Sequence, residues 1–365
     1  MPISLAISGL ANAALANAPN YQHALAYNAV QSVLLTGRNA AMPAANLADI
    51  WGYPAIAAGQ PVRVLPTAAY AMAVVSDSAA DSGISTGSAT GGSASFATNV
   101  MTLTVAPTVG AIQIGQAVTA AGVAAGTYIA ALATGTINQV GSTYTLSTSP
   151  GTIVAESIAT SAAPGAATLL ISYLDALYAS HYAIFVLNGT TPVTVAASID
   201  GGAGGAVSNV LRQNGMEVLT AGANLVNIGN LYACDSTNTY AAGVPVTTTK
   251  VFDFTVAGDN VDSNCAYTIP AGYQGMLLQM IPAINDVTAT PKFGKCRVGM
   301  TTGSNGIFRG FDLGGLSSNN NPVPITPALF PLIPPMSDIR MQGQVSAATE
   351  MACINQLVIW PVVGP

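Results

Sequence analysis

Leu169 to Thr190 reads LLISYLDALYASHYAIFVLNGT: two runs rich in Leu, Ile, Tyr, Phe and Val, parted by a short segment and closed by Asn188-Gly189. Apolar runs of this length, rich in β-branched and aromatic residues and bounded by turn formers, are strand signatures. The Asn-Gly pair predicts a type I′ hairpin turn. The same grammar continues on both sides in Ala71 to Val75, Val193 to Ala197, Val251 to Val256 and Met276 to Ile281, and in Leu357 to Val363, which is interrupted by Pro361. Short strands at this spacing, separated by Gly, Asn, Ser and Pro, predict a mainly β chain of β-sandwich or jelly-roll-like domains. Pro322 to Pro335 is not expected to pair in a sheet, because proline has no N–H to donate.

Two regions depart from this pattern. Gln22 to Leu35 has few breakers and places Leu25, Val30, Val33 and Leu34 partly at helical spacing, with Pro19 and Gly37 as boundaries. A short N-terminal helical arm is therefore expected, preceded by the Ala-rich Leu5 to Ala18 and followed by the aromatic turn Trp51-Gly52-Tyr53-Pro54. The other departure is electrostatic: no charged residue occurs between Asp81 and Glu156. That stretch opens with a Gly/Ser/Thr run, Ser82 to Ser95, and contains the strand-like Val100 to Val105, Ile112 to Val118, Tyr128 to Leu132 and Tyr144 to Leu146. It closes in small residues, Ala159 to Ala167. Small-residue linkers on both sides of a self-contained β pattern suggest an insertion into a host domain. The expected layout is an arm and helix over residues 1–60, a host β domain over 61–83 plus 164–235, an inserted charge-free β module over 84–163, and a C-terminal β-sandwich-like domain over 236–365.

Composition narrows the function classes. Only 7% of the 365 residues are charged, against about 25% in ordinary soluble domains. A surface so poor in charge must be covered by partners or be built from neutral polar groups. Fifteen acids and nine bases give a net charge of −6. The one basic cluster, Lys292, Lys295 and Arg297, is too small for a nucleic-acid surface. Mean hydropathy is +0.49, but polar or breaking residues interrupt the apolar stretches well short of the roughly 20 residues a spanning helix needs. No cationic region precedes the first charged residue, Arg38, so no secretory signal is expected.

Candidate chemistry is sparse. Gly83-Ile84-Ser85-Thr86-Gly87 fits the hydrolase G-x-S-x-G pattern, but it lies in a Gly/Ser/Thr run and lacks the strand–turn–helix setting that the motif requires. His181 lies six residues after Asp175 and reads as a hydrogen-bonded strand-end histidine. Asp253, Asp259 and Asp262 are close in sequence without the alternating ligand pattern of a calcium loop. Cys234, Cys265, Cys296 and Cys353 have no metal-ligand spacing and read as free buried thiols. The chain is therefore expected to have no catalytic, cofactor-binding or metal-binding residues, and not to be an enzyme.

Several segments, in order, resemble virion structural proteins of tailed, podovirus-like phages. They are Trp51-Gly52-Tyr53-Pro54, Val74-Val75-Ser76-Asp77-Ser78-Ala79-Ala80-Asp81, Ile171 to Asp175, Val186 to Val193, Leu219 to Gly222, Asn227-Ile228-Gly229-Asn230-Leu231, and Tyr267 to Gly272. Ile114 to Val118, Gly122 to Thr127 and Gly141 to Ser147 resemble a small β module found spliced into phage tail and capsid-surface proteins. The resemblance implies a capsid decoration (cement) or head/tail surface protein. It would be multimeric, with a trimer as the expected form, would contact the major capsid protein or tail and portal proteins, and would reside in the virion. A tail fibre or tailspike binding host glycan is the alternative, and a bacterial cell-surface or outer-membrane protein a further one. Neither nucleic acid nor membrane is an expected partner of the leading form.

Overall fold

The computed structural model describes residues 30–44, 46–51, 65–85, 87–262, 264–285, 290–302, 307–318, 324 and 332–362. The chain is mainly β, in antiparallel sheets of the β-sandwich type. Three hydrophobic clusters mark three packing units.

The first unit joins the two ends of the described chain. Gln31–Met42 pairs with Thr349–Pro361, which pairs in turn with Tyr273–Asn285. Against this sheet lies a second, formed by Ala48–Asp49, Asp338–Val345, Phe293–Thr302 and Ile307–Ser317, with Ala266–Thr268 also on Asp338–Val345. Alternate residues point inward, as the two-residue period of a strand requires. Leu277, Met280 and Leu357 meet Val298, Ile339 and Met341 in the core between them.

This arrangement corrects the helix expected over Gln22 to Leu35. Gln31–Leu35 is strand, and residues 22–29 lie outside the described residues, as do Gly52, Tyr53 and Pro54 of the aromatic turn. The apolar spacing of Val33 and Leu34 suits either structure. The ladder offered by Thr349–Pro361 decides it, and so residues 31–42 and 48–49 belong to the C-terminal sandwich rather than to a separate arm. Gly37, expected to stop a helix, lies within the strand instead. A Cβ there would lie 2.5 Å from both the Cys265 sulfur and the Ile50 carbonyl oxygen. Replacing Gly37 by valine is expected to cost about 1–3 kcal/mol of stability through overpacking, measurable by urea denaturation. A loss below about 0.5 kcal/mol would show that the two sheets separate easily at this point.

The middle unit sets a four-stranded sheet (Ser198–Ile199, Ser180–Val186, Ala166–Asp175, Val210–Ala221) against a three-stranded one (Val251–Thr255, Leu231–Asp235, Met72–Ser76). Leu169, Ile171 and Phe185 pack on Met72, Val74 and Leu231. The other face of the three-stranded sheet is also covered: Val75, Tyr232 and Phe254 form a cluster with Trp51. Burial on both faces explains why Met72–Ser76 and Val251–Thr255 are buried at every position instead of alternating. Val251–Thr255 was expected in the C-terminal domain of residues 236–365, but its ladder is with Leu231–Asp235 in the middle unit.

The Asn188-Gly189 pair does not close a type I′ hairpin. Val193, after the turn, pairs with Val74 of the opposite sheet and not with Ser180–Val186. The turn therefore carries the chain from one layer to the other. Gly189 is left-handed there (φ 55°), and a Cβ would approach the Ala79 Cα to 2.9 Å.

The stretch from Ser82 to Ser161, in which Glu156 is the one charged residue, contains a seven-stranded sheet in which Ala117–Thr119, Ile153–Ser161, Ala89–Ala97, Val100–Val105, Thr143–Leu146 and Ile129–Thr134 follow one another, with Val109–Gly110 on Ala89–Ala97. Phe96, Met101, Leu103, Ile129 and Tyr144 fill its own core. Ile112 to Val118, expected as one strand, is a loop around buried Ile112 that becomes strand at Ala117. With Glu156 as its one charged residue, the unit uses neutral polar groups for its internal bonding. Fully buried Gln116 accepts from Thr160 Oγ1 at 2.7 Å and from the Gln113 amide at 2.9 Å, and it donates to the Gly87 carbonyl at 2.9 Å. Within the Pro-rich Pro322 to Pro335, Ile333 bridges to Gly275.

Candidate functional site

The seven-stranded unit leaves and rejoins the middle unit at a polar junction centred on Asp81, which is fully buried. Its Oδ2 accepts from Ser76 Oγ and from the Gly229 amide, both at 2.7 Å. Its Oδ1 accepts from the amides of Ala166 at 2.8 Å and Ile228 at 2.9 Å. Burial holds the carboxyl above its ordinary value, and these four donors offset only part of that rise. Asp77 fixes the same loop by accepting from the Asn230 amide and side chain, both at 2.7 Å, and from Tyr232 Oη at 3.1 Å. Gly189 donates to the Asp81 carbonyl at 2.8 Å, and its own carbonyl accepts from the Ser76 amide at 3.0 Å.

Three of the sequence segments quoted above thus meet here: Val74 to Asp81, Val186 to Val193 through Gly189, and Asn227 to Leu231. The ends of the insertion are tied to one another as well, Ala163 N to Ser85 O at 2.8 Å and Gly165 N to Ala80 O at 3.0 Å. Beside the junction, a groove of about 530 Å³ runs between the two units, lined by Ile84, Ile112, Ile114, Ile137, Asn138 and Thr190. Its wall is aliphatic and neutral polar, suited to packing and to hydrogen bonds.

A second cavity, of about 280 Å³, separates Leu34 and Thr36 of the first strand from Leu170, Asn214 and Glu217 of the middle unit. Near it the sandwich and the middle unit are joined by a buried ion pair. Arg212 Nε and Nη2 donate to Asp338 Oδ1 and Oδ2 at 2.8 and 3.0 Å. Thr268 Oγ1 adds a bond to Asp338 at 2.6 Å, and Arg212 Nη1 donates to the Leu211 carbonyl at 3.0 Å and to that of Pro66. Burial opposes the Arg212 charge, but the bond to Asp338 outweighs it and holds the guanidinium above its ordinary value.

The residues with sequence-level chemistry are used internally. Ser85 is buried and donates to the Ile114 carbonyl at 2.6 Å, and its loop leads into strand, not helix, so the nucleophile-elbow geometry is absent. His181 bonds two carboxylates, Asp175 at 3.3 Å and Asp200 at 2.7 Å. The second partner had no signal in the sequence, because it lies on a different strand connection. Asp253 is fully buried and accepts from the Phe254 amide, with Asn264 beside it, while the Asp262 amide bonds Met216. Among the described residues, no group of three or more His, Cys, Asp or Glu is placed to hold a metal ion.

All four cysteines are free and buried. Three share the sandwich core: Cys265 donates to the Cys353 carbonyl at 3.1 Å, and Asn355 bridges the Cys265 and Cys353 sulfurs at 3.2 and 3.3 Å. Burial pushes the Cys265 and Cys234 thiols above their ordinary range, so neither supplies a thiolate nucleophile. No helix among the described residues is long and apolar enough to cross a membrane.

No family model and no curated protein matches the sequence. Among solved structures, that of the infectious bursal disease virus Gt strain aligns with 9% identity and a TM-score of 0.18, over 90% of this chain and 72% of that one. At that score the likeness supports no argument about fold or function.

Proposed function

We propose that the chain is a structural subunit of a bacteriophage particle, a multimeric capsid decoration or head/tail surface protein that acts through buried subunit interfaces. The observation that supports this reading is where the few charges go. Of fifteen acids, Asp49, Asp81, Asp253 and Asp338 are buried. Of nine bases, Arg38, Arg212 and Arg340 are paired with Glu350, Asp338 and Asp49. Part of a small charge complement is thus used inside the fold, and a chain with only 7% charged residues is left with a mostly neutral surface. Large apolar side chains stand out from that surface on every unit: Leu34 on the sandwich, Leu177 and Leu225 on the middle unit, and Val154, 80% exposed, on the inserted one. A chain that mixes poorly charged surface with exposed aliphatics gains from burial against copies or partners, as obligate subunits do.

Mass spectrometry of purified particles tests the assignment, and quantitation against the major capsid protein separates a decoration protein from a low-copy fibre. Absence from particles would overturn it. Sedimentation of the purified chain is expected to show a closed oligomer, a trimer first of all. Because apolar contacts hold it, raising salt from about 0.1 M to about 1 M should leave it intact. Dissociation at high salt would point instead to an ionic interface.

A further inference from the structure

We propose that His181 is a proton-operated clasp that couples the middle unit to the C-terminal sandwich. The imidazole sits between two carboxylates, with Nδ1 2.7 Å from Asp200 Oδ2 and Nε2 3.3 Å from Asp175 Oδ2. Only an imidazolium has an N–H for each of them; a neutral ring carries one and must turn a lone pair toward the other carboxylate. The remaining titratable neighbours are tyrosines. Tyr173, the cross-strand partner of His181, stacks on it at 5.4 Å, and Tyr182 follows on the same strand with its hydroxyl beside Gly201. Arg212, across from Leu174 in the same sheet, is bound to Asp338 with its guanidinium over the Tyr178 ring.

Asp175 and Asp200 each hold backbone as well as the imidazole. Asp175 Oδ1 accepts from the amides of Leu177 and Ala179, at 2.8 and 2.9 Å, and so shapes the loop between Ala166–Asp175 and Ser180–Val186. Asp200 Oδ1 accepts from the Tyr182 amide at 2.9 Å, with Asp200 itself left-handed at φ 50°. The loop in turn reaches the sandwich. Tyr178, bulky and left-handed at φ 61°, accepts from the Ala271 amide at 2.9 Å and covers Arg212 at 5.9 Å. A bulky residue in that conformation is strained and is held by its surroundings. The path from the imidazole to the inter-unit contact therefore runs through Asp175, the loop it shapes, and Tyr178.

The sign follows from the charges. The bond to Asp200, with that to Asp175, raises the His181 pKa above 6.5 against the effect of partial burial. Burial would raise both carboxyls, but the amides and His181 outweigh it and lower them below 3.8. The histidine's contribution is complete below its unfolded value of 6.5 and is lost as pH rises through the folded value. The carboxylates' contribution is complete above 3.8 and is lost as pH falls through their folded values. The clasp is tightest between those limits.

Amide exchange of the full chain, expressed as protection factors, tests the proposal. Protection at Ala271 is expected to fall about two- to fivefold between about pH 5 and about pH 8, the size that partly exposed ion pairs supply. His181→Gln should flatten that dependence. Asp200→Asn should shift its midpoint to lower pH, together with the His181 titration followed by NMR. Protection at Ala271 that does not change with pH while His181 titrates would overturn the coupling. An unchanged pH dependence in His181→Gln would assign it to another group and overturn the clasp itself.

Discussion

Replacing Asp81 by alanine is expected to remove more than about 4 kcal/mol of stability, a loss in the exceptional class for one substitution. The carboxylate is fully buried and accepts four hydrogen bonds, three from backbone amides that cannot turn away. Alanine leaves the three amides without their acceptor, and each unsatisfied buried polar group costs about 1–3 kcal/mol. Asparagine keeps the shape but points an amide donor at one pair of the donors, so Asp81→Asn should lose roughly half as much as alanine. Because Asp81 ties the stem of the inserted sheet to Ile228 and Gly229, limited proteolysis of the alanine variant should cut first near Ser82 to Ser88. Urea denaturation of the three proteins checks the order. A loss under about 1 kcal/mol for alanine would mean that the junction relaxes and rehydrates, and that Asp81 does not organise it.

The second large effect is expected at Arg212. Truncating it to alanine should cost about 3–5 kcal/mol, because it strands the Asp338 carboxylate with Thr268 as its remaining side-chain donor in a buried site. The pair also joins two units, so the loss should change the shape of unfolding as well as its midpoint. Trp360 is fully buried on the sandwich strand Thr349–Pro361, whereas Trp51 packs on the middle unit's three-stranded sheet. With the pair broken, fluorescence and far-UV circular dichroism should give separate transitions where the wild type gives one. Replacing Arg212 and Asp338 together with methionine and leucine should recover most of the stability, because the expense lies in the stranded charge rather than in the lost attraction. If the double replacement were as unstable as Arg212→Ala, the pair would be stabilising in its own right. If Arg212→Ala cost under about 1 kcal/mol, the site would be wetter than its burial implies.

Both sites share a feature that kept them out of reach of sequence reading. Asp81 and Gly229 are 148 residues apart, and Arg212 and Asp338 are 126 apart. Nothing local marks a carboxylate that will be buried by a loop so distant. The segments Val74 to Asp81 and Asn227 to Leu231 stand out in the sequence, but their meeting at one junction does not. His181 was half legible. Asp175, six residues away, is its visible partner, while Asp200 reaches it only because Ser198–Ile199 pairs with Ser180–Val186.

What the sequence determined by itself is what the chain encodes locally. Runs such as Val100–Val105 are strands because their side chains, alternating on a pleat, fit no other regular structure as well. The absence of charge from Asp81 to Glu156 is a property of composition alone. Tertiary structure decided whatever depended on a distant partner. Gln31–Met42 is a strand because Thr349–Pro361 offers it a ladder, and Val251–Thr255 joins the middle unit because Leu231–Asp235 lies open beside it. Asn188-Gly189 turns between layers because Val74 captures Val193. A backbone donor is satisfied equally well by a near or a far acceptor. Local pattern therefore fixes that these segments extend, and the whole fold chooses which strand they meet.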